Sequence, residues 1–254
     1  LSASTNQRRR IYLMRHGAVS YFNEDGTPVN PETVPLNKTG RVQAEAAGAL
    51  FAAHGVRFDR VITSSLNRTL ETAQRVLAQL EGPAPTPIQR PALDEIRGGR
   101  LRDIPPAELQ QSFIAVLQGT TSLETRFLGG ESVAEMLNRV TPEIDALRAD
   151  PDWQTALLVL HGGVNRGVLS YLLSGTHVML GGLEQAPACI NVIDVGDEKR
   201  DVIVRATNLS PTDWLQHEIR TSTMEVLFVQ YARYAASPLA GAAPTTNSTT
   251  LPRQ

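Results

Sequence analysis

The sequence predicts an α/β fold: three layers, α/β/α, around a mostly parallel central sheet. Three observations carry this expectation. Short apolar runs read as buried strands. The segments between them repeat apolar residues at helical spacing. The two kinds of segment alternate along the chain, which is the rhythm of strands joined by crossover helices. With 254 residues, 41% of them hydrophobic, the chain is long enough to enclose one full core.

Strands are expected at 11–14, 60–63, 156–160, 190–195 and 202–206. Between the first two, Val42, Ala46, Ala49, Leu50 and Ala53 lie at helical spacing and predict a helix whose face packs on the sheet. Leu66, Leu70, Ala73, Leu77 and Leu80 predict a second such helix. Val133, Met136, Leu137, Val140, Ile144 and Leu147 predict a third, with Glu131 and Glu135 near its start, where negative charge suits the helix dipole. The segment 96–130 is punctuated by Gly98-Gly99, Pro105-Pro106 and Gly129-Gly130; it has room for one short helix near 107–117 and reads as an excursion over the sheet. Residues 213–234 could form a terminal helix, but Thr221-Ser222-Thr223 interrupts the pattern and β-branched residues count against it. The expected organisation is a polar leader at 1–10, a single domain at 11–235, and a flexible tail at 236–254 with too few large apolar groups to offset its ordering entropy.

Composition narrows the partners. A formal net charge of −2 gives no chain-wide basic field, so no nucleic-acid partner is expected. The run Arg8-Arg9-Arg10 reads as part of the solvated leader, with contact to an anionic surface as the alternative. Cys189 is the single cysteine; it excludes an internal disulfide, reads as a small buried hydrophobe, and is compatible with a reducing compartment. No apolar run approaches the ~18 residues that span a bilayer, and the polar start lacks a signal-peptide core. The expectation is a cytoplasmic protein with no membrane partner; the oligomeric state is unknown from sequence.

Four motifs carry the chemistry. In "IYLMRHGAVS" an apolar run ends in Arg15-His16-Gly17, which delivers two potential cations to the carboxyl edge of the sheet, where open α/β proteins bind ligands. Gly17 permits a sharp turn or a close backbone approach. In "VITSSLNRTLETA" a strand leads into a helix whose first turn carries Arg68. Ser65 is a candidate cap, and the free N–H groups with a guanidinium suit an anion. Alternatively Arg68 pairs with Glu71 or Glu95. In "ALLVLHGGVNRGVL" a third strand ends in His161 followed by Gly162-Gly163. Two histidines and two arginines at strand ends have the composition needed to neutralise a phosphoryl group. Metal binding by the histidine pair is disfavoured, because the arginines would repel a cation and no acidic cluster with ligand spacing accompanies them. Lastly, "ALDEIRGG" places Asp94 and Glu95 where one carboxyl group could donate a proton to a leaving oxygen.

Together these motifs resemble the histidine phosphatase superfamily, the phosphoglycerate mutase-like family. The resemblance rests on "LMRHG", "PLNKTGRVQAEAAG", "SSLNRTLETA", "LDEI", "GGESVAEMLNRV" and "VLHGGVNRGVL", and it covers roughly residues 11–195. It implies a phosphoglycerate mutase-like fold, with His16 as the nucleophile that becomes phosphorylated. Arg15, Arg68 and His161 would hold the phosphoryl oxygens, and Glu95 would donate the proton, with Asp94 as its rival. Gly17, Asn23 and Gly162 are the substrate-binding candidates. The pattern is not a perfect match, since Ala18 stands where many members carry Glu or Gln, and Asn23 sits one place beyond the usual asparagine. Tyr21 and Phe22 are candidates to wall the pocket. Arg97, Arg100 and Arg102 either meet a second anionic group or form a solvated turn. The resemblance implies no metal and no organic cofactor. The expected partner is a small phosphorylated substrate or inorganic phosphate. "LDEIRGG" is nearer the phosphatase forms, so phosphomonoester hydrolysis is expected. The alternatives are a bisphosphate-primed phosphoglycerate mutase and, from another class, a non-catalytic phospho-ligand binding protein.

Overall fold

The computed structural model describes residues 8–237. Its main sheet has six strands in the order β3-β2-β5-β1-β7-β8. These are β1 (Arg9–Arg15), β2 (Arg60–Thr63), β3 (Ile88–Gln89), β5 (Thr155–Leu160), β7 (Ile190–Val195) and β8 (Val202–Leu209). A separate pair is formed by β4 (Thr120–Thr121) and β6 (Met179–Leu180). β1 runs parallel to β5, and β2 runs parallel to both β5 and β3. β7 and β8 add antiparallel. All five expected strands are present and the mostly parallel sheet is found. The three two-residue strands are too short to show any period.

Parallel strands covered on both faces need apolar side chains in both directions, which explains the unbroken apolar runs. Ile11, Leu13, Leu158 and Leu160 pack on one face with α4 (Val133–Ala149) and α5 (Gly162–Ser174). Met14, Leu157 and Val159 pack on the other with α1 (Lys38–Ala53) and α2 (Asn67–Leu77). Because β1, β2 and β5 are mutually in parallel register, Arg15 aligns with Leu160 and Thr63 with Val159. The residues that follow these strands therefore emerge at one edge.

The structure corrects several expectations. β1 begins at Arg9, so part of the expected leader is sheet. The Arg9 guanidinium lies 4.6 Å from the centroid of the Trp153 ring. It donates to the carbonyl oxygens of Asp150 and Arg148, where the end of α4 offers negative partial charge. Arg10 donates to both carboxylate oxygens of Asp194, at 2.7 and 3.0 Å. Residues 1–7 and 238–254, which include most of the leader and nearly all of the tail, lie outside the described residues.

The stripe expected on α1 is out of phase: Val42 is 54% exposed, while Gly40, Ala44, Ala47, Gly48 and Phe51 are buried. Small residues are needed there because neighbouring backbone comes very close. A Cβ on Gly40 would stand 2.1 Å from the Ala18 carbonyl oxygen, and one on Gly48 would stand 2.5 Å from that of Val76. Gly40→Ala is therefore expected to destabilise the protein by about 1–3 kcal/mol, measured by denaturant titration. An unchanged midpoint would refute the close approach.

On α2 the expected stripe holds in part: Ala73 is buried and Leu77 and Leu80 pack against the core half-buried. The helix also buries Arg68, Thr69, Thr72 and Val76, because its polar side faces the sheet edge. α4 buries all six expected residues, and Ser132 and Glu135 close a capping box at its start. The excursion carries one short helix, α3 (Leu109–Ile114). The terminal helix α6 spans only Thr223–Ala235. Thr221-Ser222-Thr223 does not interrupt it but starts it: Ser222 accepts from the Glu225 N–H, and the Glu225 carboxylate accepts from Ser222. A hydroxyl that is poor inside a helix is favoured at its N-cap. Among the described residues no helix is long and apolar enough to cross a membrane.

Candidate active site

Arg15, His16, Arg68 and His161 are brought together at the sheet edge, and all four are buried. Arg15 and His16 come from the end of β1, Arg68 from the first turn of α2, and His161 from the junction of β5 and α5. The His16 and His161 rings lie edge to face, with centroids 5.3 Å apart. The His16 Nδ1 lies 2.7 Å from the Gly17 carbonyl oxygen. A carbonyl only accepts, so Nδ1 carries the proton and Nε2 is left with its lone pair. The His161 Nε2 lies 2.8 Å from the Ser64 hydroxyl. The same hydroxyl lies 2.9 Å from that of Thr69.

Burial, then the charge of Arg68, then that of Arg15 push the His16 imidazole well below the usual histidine range. For His161 the causes run burial, Arg68, His16 and Arg15, in the same direction. Both rings are held neutral. The unfolded chain protonates them near pH about 6.5 and the folded chain does not, so unfolding takes up protons below that pH. This contribution therefore costs stability as pH falls below about 6.5 and has no effect above it. In a proton NMR titration the two ring signals are expected to stay at neutral positions as the pH falls below about 6.5. An ordinary titration near pH about 6.5 would contradict the burial argument.

Four buried side-chain nitrogens at or beside this edge have no hydrogen-bond partner among the described residues: Arg15 Nε, Arg68 Nε, Arg166 Nε and His161 Nδ1. Buried polar groups are normally satisfied, so unpartnered guanidinium N–H groups from separate segments call for an acceptor with several oxygens. The other arginine contacts set the guanidinium orientation. Arg15 Nη1 donates to the Gln185 carbonyl at 2.6 Å and to the Thr223 hydroxyl at 3.0 Å. Arg68 Nη1 donates to the Pro31 carbonyl at 2.6 Å. The alternative in which Arg68 pairs with Glu71 is not found; Glu71 pairs with Arg41 and Arg75.

Glu95 sits against the start of α5. Its carboxylate accepts from Ile96 N at 2.9 Å, and from Gly163 N and Val164 N at 3.3 Å each. A Cβ on Gly163 would stand 2.7 Å from Glu95 Oε1, so glycine makes room for the acid. Asp94 faces elsewhere: it accepts from Ser65 N and the Ser65 hydroxyl, each at 2.8 Å. Ser65 therefore does not cap α2, whose N-cap residue is Leu66 and which has no side-chain cap.

Among the substrate-binding candidates, Gly162 lies beside the Arg15 guanidinium, 3.5 Å from the position of an added Cβ. Gly17 lines a cavity of about 290 Å³ with Arg15 and His16. Its lack of a side chain serves packing, since a Cβ there would meet the Gly40 carbonyl oxygen at 2.3 Å. Asn23 is not brought to the pocket: it is exposed, and its amide donates to the Thr27 hydroxyl within a surface turn. Tyr21 and Phe22 do line the cavity.

Several supporting residues escaped the sequence reading. Arg139 on α4 donates to the carbonyl oxygens of Ala92, Asp94 and Glu95 and pairs with Glu131, so it clamps the acid turn. Thr72 accepts from Gly17 N. Gln185 and Thr223 hold Arg15, but their chain separations of 170 and 208 residues leave no local signal. Buried Arg166 pairs with Glu184 at 2.7 Å. Cys189 is buried and its thiol is pushed up to about 12, chiefly by burial. Among the described residues no group of three or more His, Cys, Asp or Glu could hold a metal ion.

A neutral imidazole pair among buried guanidinium groups, set at the edge of a parallel α/β sheet, defines a class of anion-handling α/β enzyme. A family model for the histidine phosphatase superfamily (branch 1) matches residues 11–208. The chain belongs to that superfamily and is an enzyme of the histidine phosphatase type. It is similar to a 2,3-bisphosphoglycerate-dependent phosphoglycerate mutase of Rhizobium etli, 29% identical over 164 residues that cover 62% of this chain and 77% of that protein. Among solved structures it is similar to the alpha-ribazole phosphatase of Shigella flexneri, with a TM-score of 0.59, 26% identity, and coverage of 78% and 96% of the two chains. A mycobacterial glucosyl-3-phosphoglycerate phosphatase bound to inorganic phosphate shares the fold, with a TM-score of 0.60, 19% identity, and coverage of 81% and 99%.

Proposed function

We propose that the protein is a cytoplasmic phosphomonoester hydrolase that acts on a small phosphorylated metabolite through a phosphohistidine, with residues 11–235 as one catalytic domain. The observation that carries this reading is the pair of unpartnered donors, Arg15 Nε and Arg68 Nε, with the unpartnered His161 Nδ1, around a His16 ring whose Nε2 is free. A phosphoryl group supplies three oxygens to those donors while its phosphorus faces Nε2. In the first step the Nε2–P bond forms as the P–O bond to the alcohol breaks, and the Glu95 carboxyl proton passes to the departing oxygen. In the second step the Glu95 carboxylate takes a proton from water, whose oxygen bonds to phosphorus as the P–N bond breaks. The cations stabilise the charge on the equatorial oxygens in both steps.

Similarity to the mutase of Rhizobium etli favours a second reading, in which a substrate hydroxyl rather than water takes the phosphoryl group. The two are separated by assaying phosphate release from a small aryl phosphate alongside 3- to 2-phosphoglycerate exchange. Release with a phosphoryl adduct on the His16 peptide supports hydrolysis. Exchange without release would establish the mutase.

A further inference from the structure

The turn that carries Glu95 is tied on both sides to one ion pair at the start of α4. Arg139 places all five of its N–H donors there. Nη1 donates to the Ala92 and Asp94 carbonyl oxygens, each at 2.7 Å, and Nη2 donates to the Glu95 carbonyl at 3.1 Å. The remaining two donors, on Nε and Nη2, meet the two carboxylate oxygens of Glu131 at 2.7 and 2.8 Å, which fixes the plane of the guanidinium. Glu131 continues the tie past the acid: its carboxylate accepts from Arg97 N at 3.0 Å, and its own N–H donates to the Arg97 carbonyl at 2.8 Å. The Arg139 and Glu131 side chains are only 16% and 8% exposed.

The Glu95 carboxylate has little else to place it. Its shortest bond, 2.9 Å, comes from Ile96 N in the same turn, and those from Gly163 N and Val164 N are 3.3 Å. Its position therefore follows the backbone of the turn, and that backbone follows Arg139. With every donor committed, Arg139 has none left for a substrate, and neither it nor Glu131 lines the cavity at His16 or the smaller one at Glu95. After burial, Arg68, His16 and Arg15, the charge of Arg139 also helps to keep the His161 ring neutral. Lysine keeps that charge and loses the planar fork, so Arg139→Lys isolates the geometry.

We propose that Arg139 and Glu131 are positioning residues for proton transfer: they hold the acid turn so that the Glu95 carboxyl reaches the departing oxygen. The proposal rests on the hydrolase reading for the role of Glu95. Its test compares butyl phosphate, whose leaving oxygen needs the acid, with 4-nitrophenyl phosphate, whose leaving oxygen needs little help. Arg139→Lys is expected to lower kcat for butyl phosphate by about 10–100-fold and kcat for 4-nitrophenyl phosphate by less than about threefold, with KM for each ester within about threefold of wild type. Glu131→Gln is expected to act in the same direction, and it decides alone if the lysine variant does not fold. In a Glu95→Gln background, Arg139→Lys should cost butyl phosphate less than about threefold more, because the group it positions is already gone. Equal losses with both esters would mark a merely structural pair and overturn the proposal, as would a full additional loss in the Glu95→Gln background. A wild-type protein that releases phosphate from neither ester removes the hydrolase reading instead. The clamp is then judged by amide hydrogen exchange at Ile96 and Arg97, expected to quicken by about tenfold or more in either variant; unchanged exchange overturns it.

Discussion

His16→Ala is expected to lower phosphate release from any ester by at least ~10⁴-fold, because the covalent route loses its nucleophile and the remaining cations only bind. Folding should survive. The ring's hydrogen bond is to the carbonyl of the adjacent Gly17, so its removal strands no distant partner. Arg15, Arg68 and His161 remain, so inorganic phosphate should still raise the melting temperature of the variant. Turnover within tenfold of wild type would eliminate the phosphohistidine route. Loss of turnover together with loss of phosphate stabilisation would point to a collapsed site rather than a missing nucleophile.

Glu95→Gln is expected to cost about 10²–10⁴-fold with alkyl phosphates and far less with 4-nitrophenyl phosphate, whose leaving oxygen needs little help from an acid. The amide keeps the size of the carboxyl group but cannot transfer the proton. Asp94→Asn provides the comparison. The Asp94 carboxylate is occupied by Ser65, so its replacement should affect both esters alike. If the leaving-group dependence appeared in the Asp94 variant, the acid would be reassigned to Asp94.

The start of α6 could not be read from the chain. Its sequence signal was a pattern broken by Thr221-Ser222-Thr223, and only the hydrogen bonds between Ser222 and Glu225 show the break to be a cap. The same is true of α1 and α2. The stripe expected on α1 is out of phase with its buried face, where close backbone approach demands Gly40 and Gly48, and the site claims Arg68 and Thr72 on α2. Hydrophobic spacing registers side chains that want burial, not glycines that must yield space. α4 was legible throughout because its partners are large apolar side chains of the core.

The candidate site was legible to the extent that it was local. Arg15 with His16, Arg68 behind Ser64-Ser65, His161 before two glycines, and Glu95 each stand in a short motif at the end of a predicted strand or at a loop. Asn23 was selected by its place in a pattern, and the turn to Thr27 takes it elsewhere.

The sequence by itself determined the five longer strands, the mostly parallel α/β class and the residue types at the sheet edge, because those depend on local period and composition. Tertiary structure alone decided the burial that keeps both imidazoles neutral, the clamp of Arg139 on the acid turn and the hold of Gln185 and Thr223 on Arg15. Each of these arises from groups far apart in the chain that approach within a hydrogen bond or a van der Waals contact. No local pattern encodes such distances.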